Sequence, residues 1–304
     1  MKIVLNVLKW IGIIFLAIIV LIVLLLFWLS KQPFVPTKYT SSVETGGAIE
    51  AKYIAMGNYE VKCFETDAPE DWGKFIIHYP TELESSNNTY PVVVFANGTG
   101  VYASKYPALF EHLASWGFIV IGNEDPSTCT GDSADATLAY LLEQNENRDS
   151  IFHQKVNTEK IGISGHSQGG VAVFNAVTEQ PHGTLYTCAV SLSPTDLEAA
   201  DDIGLHYEPD KMKIPTLLLA ATENDVIMPD GVQRVYDMID AEKVAALREN
   251  AAHGEMLYYA DGYVTAWFMW QLKGDEDAAK AFAGDNPEIM SNSLYQDQQN
   301  NIGD

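Results

Sequence analysis

A serine lies within a glycine-rich hexapeptide at residues 165–170, GHSQGG. An apolar segment with strand character, residues 160–164, precedes it, and a segment typical of a buried helix, residues 171–177, follows. A nucleophilic serine needs such a sharp strand-to-helix turn, because its hydroxyl must stand clear of the sheet. Glycines two residues to either side remove Cβ atoms that would collide with neighbouring backbone. The pattern predicts Ser167 as a nucleophile.

A carboxylate that could orient a catalytic base follows a later apolar run. Residues 214–221 have the composition of a parallel strand covered on both faces, and Asp225 lies on the loop after them. In a Ser-His-Asp triad the acid occupies such a loop. We therefore predict Asp225 as the acid, with Glu223 as the alternative because it lies nearer the strand. Asp196, after an earlier strand, is a more distant choice that better suits a cap for the following turn.

The base is expected after the next strand, which we place at residues 244–249. His253 follows that strand on a loop of small residues, where an imidazole can turn toward a serine. His166 adjoins the serine but is expected to face the cleft wall. The other histidines fall in a strand, on a helix or in polar connections, namely His78, His112, His153, His182 and His206. His253 is therefore the predicted base.

Two backbone N–H groups are candidates for stabilising a negatively charged oxygen. One belongs to Gln168, the residue after the serine, and the other to the loop at residues 97–100. That loop follows a predicted strand at residues 91–96, and its glycines allow N–H groups to turn inward. Thr99 is the best single donor, with its neighbours Gly98 and Gly100 as alternatives.

Several segments together resemble a known superfamily. They are residues 95–100, residues 113–121 (LASWGFIVI), the serine hexapeptide, residues 223–225 with Pro229 after them, Ala252 with His253, and residues 264–268. Over residues 50 to 283 the chain resembles the α/β-hydrolases, and among them chlorophyllases, cutinase-like bacterial polyester hydrolases and platelet-activating-factor acetylhydrolases. Two positions depart from the cutinase-like enzymes, which usually carry an aromatic residue where Thr99 stands and a methionine where Gln168 stands.

This resemblance implies an α/β-hydrolase fold, with a mostly parallel twisted sheet and helices on both faces. It implies a serine esterase that acts on a small-molecule or lipid-like ester without cofactor or metal. Only a short helix fits between residues 190 and 213, so we expect no large lid and an open cleft. Candidate cleft walls are His166, Tyr102 and Met228. A peptidase of the same fold is one alternative, although no propeller or cap domain fits this length, and a catalytically silent binding module is another.

The N-terminus predicts a membrane anchor over residues 1–30. Residues 10–29 carry no charge, and at about 1.5 Å per residue they span roughly 30 Å, the hydrocarbon thickness of a bilayer. No small-x-small cleavage site follows, which favours an uncleaved anchor over a removed signal peptide, and a soluble core helix fits least. Flanking lysines are nearly balanced. We adopt the usual signal-anchor orientation, which gives a single-pass protein of the cell membrane with its catalytic domain outside the cytoplasm.

Composition suits a folded enzyme. The 304 residues include 18 basic and 41 acidic ones, and the formal charge of −23 argues against nucleic acid and anionic lipid surfaces as partners. We expect a stalk at residues 31–48, one catalytic domain at residues 49–283 and a polar tail at residues 284–304. Three cysteines, Cys63, Cys129 and Cys188, allow either one disulfide or none. The oligomeric state stays open.

Overall fold

A computed structural model describes residues 2–69 and 72–303, which form nine strands and eleven α-helices. The strands are β1 (Val61–Asp67), β2 (Lys74–Pro80), β3 (Tyr90–Ala96), β4 (Ile119–Asn123), β5 (Val156–His166), β6 (Tyr186–Leu192), β7 (Thr216–Glu223), β8 (Lys243–Ala252) and β9 (Tyr295–Asn300). The helices are α1 (Lys2–Lys31), α2 (Ala48–Ile54), α3 (Pro107–Ser115), α4 (Asp132–Glu146), α5 (Gln168–Thr178), α6 (Leu197–Asp202), α7 (Pro229–Met238), α8 (Met256–Tyr259), α9 (Asp261–Lys273), α10 (Glu276–Ala279) and α11 (Glu288–Ser291).

All nine strands form one sheet in the order β1-β2-β4-β3-β5-β6-β7-β8-β9. The strands from β4 to β8 in this order pair in parallel, whereas the β1–β2, β2–β4 and β8–β9 pairs are antiparallel. The carboxyl ends of the parallel strands therefore share one edge of the sheet, where ligands bind in open α/β sheets. The mostly parallel α/β fold is confirmed.

The core lies in two halves, one on each face of the sheet. Alternate strand residues point to opposite faces, so Val93 packs with α3 and α9 while Val92 and Val94 pack with α4, α5 and α7. Every residue of β3 is buried, which explains why its sequence is an unbroken apolar run. Each fully buried aliphatic side chain of this kind contributes about 1.5–3 kcal/mol. The doubly covered sheet thus provides a rigid base for the loops at its carboxyl edge.

The segment expected to be a stalk is partly built into the domain. Val35 and Tyr39 are 0% and 1% exposed, and the hydroxyl of Tyr39 donates to the buried carboxylate of Asp261 at 2.5 Å. The stalk prediction over residues 31–48 is therefore wrong from Val35 onward. Proline, serine and threonine give this segment the composition of a linker, but its apolar side chains Val35 and Tyr39 are buried in the core.

The polar tail expected at residues 284–304 is also corrected. Ile289 on α11 is fully buried, Tyr295 is 3% exposed, and β9 forms the edge of the sheet beside β8. Most side chains of β9 are polar because an edge strand can be held by its backbone hydrogen bonds and a few anchors. These contacts make the segment part of the folded domain.

Helix α1 lies in a separate compact unit that ends at Phe34, and the second unit begins at Val35. Its stretch Leu8–Trp28 has 21 residues with a mean hydropathy of 3.4, and none of it is buried. This exposure argues against a core helix. Length and composition suit a membrane span, and a signal sequence shares both properties.

Candidate active site

Ser167 lies at the tight turn between β5 and α5. Its φ of 60° and ψ of −123° are outside the regions that a non-glycine residue normally adopts, which costs on the order of 1–3 kcal/mol. The N–H of Ser167 donates to the carbonyl of Leu192 at 2.9 Å. A Cβ on Gly165 would lie 2.2 Å from the oxygen of Gly169, and one on Gly169 would lie 2.1 Å from that of Ala96. The turn therefore requires both glycines.

Asp225 and His253 form a hydrogen-bonded pair at the same edge of the sheet. The Nδ1 of His253 lies 2.7 Å from Oδ1 of Asp225. Asn224, with a φ of 51°, lies in the turn after β7 that leads to Asp225. Oδ2 of Asp225 accepts hydrogen bonds from the hydroxyl of Ser193 and the N–H of Ala221, each at 2.6 Å. The carboxylate is held from two sides.

The surroundings of Asp225 keep it ionised. Burial alone would raise its pKa, but hydrogen bonds from His253, Ser193 and Ala221 more than offset that effect and hold the pKa below its usual range. The side chain of Asp225 is 3% exposed, whereas that of His253 is 24% exposed. The pair thus combines a fixed buried anion with an imidazole that a substrate can reach.

The two alternative acids lie elsewhere. Glu223 ends β7 with an exposed side chain. Asp196 caps α6 by accepting from the N–H of Glu198 at 3.1 Å, and it also pairs with Arg234 at 3.0 Å. Neither carboxylate is hydrogen-bonded to His253 in the described part of the chain.

The N–H groups of Thr99 and Gln168 are available at this edge. Gly98 donates its N–H to a tyrosine hydroxyl at 3.3 Å, and Gly100 donates to a proline carbonyl at 2.9 Å. Within residues 2–69 and 72–303, no hydrogen bond uses the N–H of Thr99 or of Gln168. Gln168 also begins α5, whose N-terminus favours negative charge. Of the four candidate N–H groups, these two are the ones without a hydrogen-bond partner among the described residues.

The three residues expected to line the cleft differ in exposure. Tyr102 and Met228 are 40% and 62% exposed on loops at the carboxyl edge of the sheet. His166 is only 3% exposed, and its Nε2 lies 2.7 Å from the carbonyl oxygen of His253. This burial corrects the prediction that His166 lines the cleft wall, because its ring is hydrogen-bonded to His253 and hardly exposed.

Ser193 is a contributor that sequence reasoning missed. It is buried, it follows β6, and its φ of 42° lies in the left-handed region although it is not glycine. This backbone directs its hydroxyl at Asp225. A small hydroxyl residue at the carboxyl end of a predicted parallel strand was the signal that could have revealed it.

The carboxyl edge of the sheet has little cover among the described residues. Between β6 and β7 lie only the six-residue α6 and one short 3₁₀ turn, so there is no large lid among the described residues. Those residues also contain no group of three or more His, Cys, Asp or Glu side chains suited to a metal ion. Cys63, Cys129 and Cys188 are all free thiols, the first exposed and the other two buried.

The chain is similar to one family model and to several known hydrolases. A family model described as PETase, PET hydrolase-like, matches residues 39–301. Bis(hydroxyethyl) terephthalate hydrolase of Streptomyces coelicolor is 29% identical over 159 residues, 52% of this chain and 46% of that protein. Chlorophyllase-1 of Citrus unshiu is 28% identical over 141 residues (44% and 40%), and cutinase 2 of Thermobifida cellulosilytica is 27% identical over 166 residues (53% and 56%). The chain spans about half the length of these curated relatives.

Proposed function

Because the chain belongs to the PET hydrolase-like family, we propose that it is a serine hydrolase of carboxylic esters. The observation that carries the proposal is the 2.7 Å bond between His253 and Asp225, at the sheet edge where Ser167 occupies its strained turn. A strained serine, an oriented histidine and a buried carboxylate at one edge are the parts that acyl transfer requires. The names of the relatives, which include cutinases and an ester hydrolase, support this reaction class.

Each group has a role in the proposed reaction. Since Nδ1 of His253 donates to Asp225, its Nε2 is the nitrogen free to take the proton of Ser167 as that hydroxyl attacks the ester carbonyl. The N–H groups of Thr99 and Gln168 bind the oxygen that becomes negative, and one such donor is worth roughly 3–4 kcal/mol. His253 then returns the proton to the departing alcohol, and water, activated in the same way, releases the acyl group from Ser167.

The substrate we propose is a neutral small-molecule or lipid-like ester. An edge without a large lid leaves the serine open to substrates of varied shape, and exposed Tyr102 and Met228 offer apolar surface on loops at the same edge. The formal charge of −23 disfavours anionic substrates. The groups named above complete the reaction without a cofactor.

We also propose that α1 is an uncleaved anchor that holds the catalytic domain outside the cytoplasm. Its 21-residue apolar stretch supports this. Expression of the full chain, followed by membrane fractionation and N-terminal sequencing, is the test. The anchor predicts an intact N-terminus in the membrane fraction, and a soluble protein with a new N-terminus near residue 31 would contradict it.

The activity is tested on the chain beginning at Gln32, with p-nitrophenyl esters of increasing acyl length and a fluorophosphonate probe. We expect hydrolysis and labelling by the parent, and neither by Ser167→Ala, because that variant lacks the attacking hydroxyl. Circular dichroism should show the same fold for both, because the turn does not depend on the hydroxyl. Labelling that persists in Ser167→Ala would assign the nucleophile elsewhere, and a parent that hydrolyses no ester would reject the proposed function.

A further inference from the structure

His166 makes an unusual contact with the proposed base. Its Nε2 lies 2.7 Å from the backbone carbonyl oxygen of His253, and the two rings pack with centroids 4.4 Å apart at an angle of 40°. On its other side, the Nδ1 of His166 lies near Gly98, since a Cβ on that glycine would be 3.5 Å away. His166 is thus enclosed between the histidine turn and the loop that carries Thr99.

The protonation state of His166 follows from its partner. A carbonyl oxygen only accepts, so the Nε2 of His166 must carry a proton, and in the neutral ring Nδ1 is then bare. Burial, and then the neighbouring His253, lower the pKa of His166 to about 3. His166 is therefore a neutral donor at ordinary pH, and it does not compete with His253 for the proton of the serine.

The bond connects two parts that must be held at a fixed separation. His253 opens a single 3₁₀ turn, and its carbonyl also accepts the N–H of Met256 within that turn. Asp225 holds the ring of His253, but nothing in that contact fixes its backbone relative to the serine. His166 is the residue directly before Ser167, so its hydrogen bond ties the backbone of the base to the strand of the nucleophile.

We propose that His166 is a positioning residue, which sets the separation of Ser167 and His253 through its bond to the His253 carbonyl. It acts through the base. The inference rests on the proposed function, since it presumes that these two residues react together. Misplacement of about 1 Å at such a pair can cost 10²-fold in rate.

Two substitutions separate the bond from the bulk of the ring. His166→Phe keeps a planar ring and removes the donor, whereas His166→Gln places an amide N–H the same number of bonds from the backbone. We expect His166→Phe to lower kcat on the order of 10- to 100-fold with KM almost unchanged, and to slow fluorophosphonate labelling in parallel. His166→Gln should recover most of the lost kcat.

His153→Phe is the matched control. Nδ1 of His153 also bonds a backbone carbonyl, that of Asn145 at 3.0 Å, but it precedes β5 and so lies toward the opposite edge of the sheet. We expect this variant to keep the parent kcat. A His166→Phe variant with the parent kcat, or a His166→Gln variant as slow as His166→Phe, would overturn the proposal.

A measurement on the unmodified protein keeps the inference testable if His166→Phe does not fold. Nitrogen-15 spectra of the imidazoles should show His166 with a protonated Nε2, a bare Nδ1 and no titration between about pH 5 and 9. A protonated Nδ1, or a titration in that range, would refute the bond. This result is independent of ester hydrolysis, so failure of the inference and failure of the proposed function are distinguishable.

Discussion

At the scale of single residues, hydrogen bonds fix the protonation state and the orientation of the groups at the candidate site. Asp225 receives donors from His253, Ser193, Ala221 and the N–H of Val226, the last at 2.7 Å. Such a carboxylate stays charged and cannot rotate. The consequence is a histidine whose tautomer is set by its partner before any substrate arrives.

Substitution of the acid distinguishes the two candidate carboxylates. We expect Asp225→Asn to lower kcat by on the order of 10⁴, because an amide can lock the wrong tautomer of His253 and no longer stabilises its charged form. Glu223→Gln changes an exposed side chain and should remain close to the parent. Steady-state kinetics on both variants is the measurement. A larger loss for Glu223→Gln would move the acid by two residues.

Removal of the Ser193 hydroxyl should weaken the support of Asp225. We expect Ser193→Ala to lower the free energy of unfolding at pH 7 by about 1.5–3 kcal/mol, the value of a hydrogen bond to a charged group, and to reduce kcat. Ser193→Gly should be more stable than Ser193→Ala by about 1–2 kcal/mol, since glycine adopts a φ of 42° without the strain that serine and alanine both carry. Urea unfolding measures both, and equal stability of the two variants would contradict the strain.

The pH dependence of this difference has a defined sign. The pKa of Asp225 is held below its ordinary 3.8, so its bonds stabilise the folded state fully above that value. That contribution is lost as the pH falls through the folded-state pKa. We therefore expect the stability gap between the parent and Ser193→Ala to be constant from pH 7 to about 5 and to narrow below about pH 4. A gap that widens on acidification would show that Asp225 is not the partner that matters.

At the scale of elements, one strand joins two segments that are distant in sequence. Arg248 on β8 is 3% exposed and donates to the carbonyl of Glu44 at 2.9 Å and to that of Leu294 at 3.2 Å. Its guanidinium also lies over the rings of Tyr259 and Tyr295, 5.4 and 5.3 Å from their centroids. The strand that leads to His253 is thus braced by chain from both ends of the domain.

A shortened chain tests whether β9 is structural. Ending the chain at Gly284 removes buried Ile289 and Tyr295. It also removes two of the groups that donate to the buried carboxylate of Glu50, Asn292 at 2.8 Å and Tyr295 at 3.1 Å. We expect a loss on the order of 5 kcal/mol or more, enough to unfold many domains.

Thermal unfolding and ester hydrolysis measure this loss. A chain that ends at Ile302 is the control and should match the parent, since it keeps β9 whole. If the chain ending at Gly284 melted like the parent, residues after it would be the dispensable tail that their composition predicts.

At the scale of the whole molecule, the compact domain begins earlier than its composition predicts. A chain starting at Gln32 keeps Val35 and Tyr39, and we expect it to be soluble and active. A chain starting at Gly47 loses both. The buried carboxylate of Asp261 then keeps its contact with His112 at 2.5 Å but loses the hydroxyl of Tyr39. A lost hydrogen bond to a charged group costs about 1.5–3 kcal/mol, and the lost burial of Val35 and Tyr39 adds to this.

Denaturant unfolding of the two chains makes the comparison directly. The longer chain should unfold in one transition at clearly higher urea than the shorter one. Equal midpoints would mean that residues 32–46 are a linker after all.

The sequence by itself was sufficient to predict the fold class, which is confirmed, and to identify the candidate reactive residues. Both depend on local signals: a strand, a glycine-bounded turn and a helix around Ser167, and apolar runs that end just before Asp225 and His253. Because parallel strands share one carboxyl edge, residues that follow them meet without any knowledge of their contacts. These local signals and this one topological rule were sufficient to predict the candidate catalytic residues.

Only the tertiary structure decided what holds those groups. The bonds from Ser193 to Asp225 and from His166 to His253 join residues 32 and 87 positions apart. The burial of Tyr39 against Asp261 and of Tyr295 against Glu50 spans more than 200 positions, and both segments look like linker or tail by composition. A long-range contact leaves no periodic or compositional trace in either segment, since one anchoring side chain among many polar neighbours is enough to bury it.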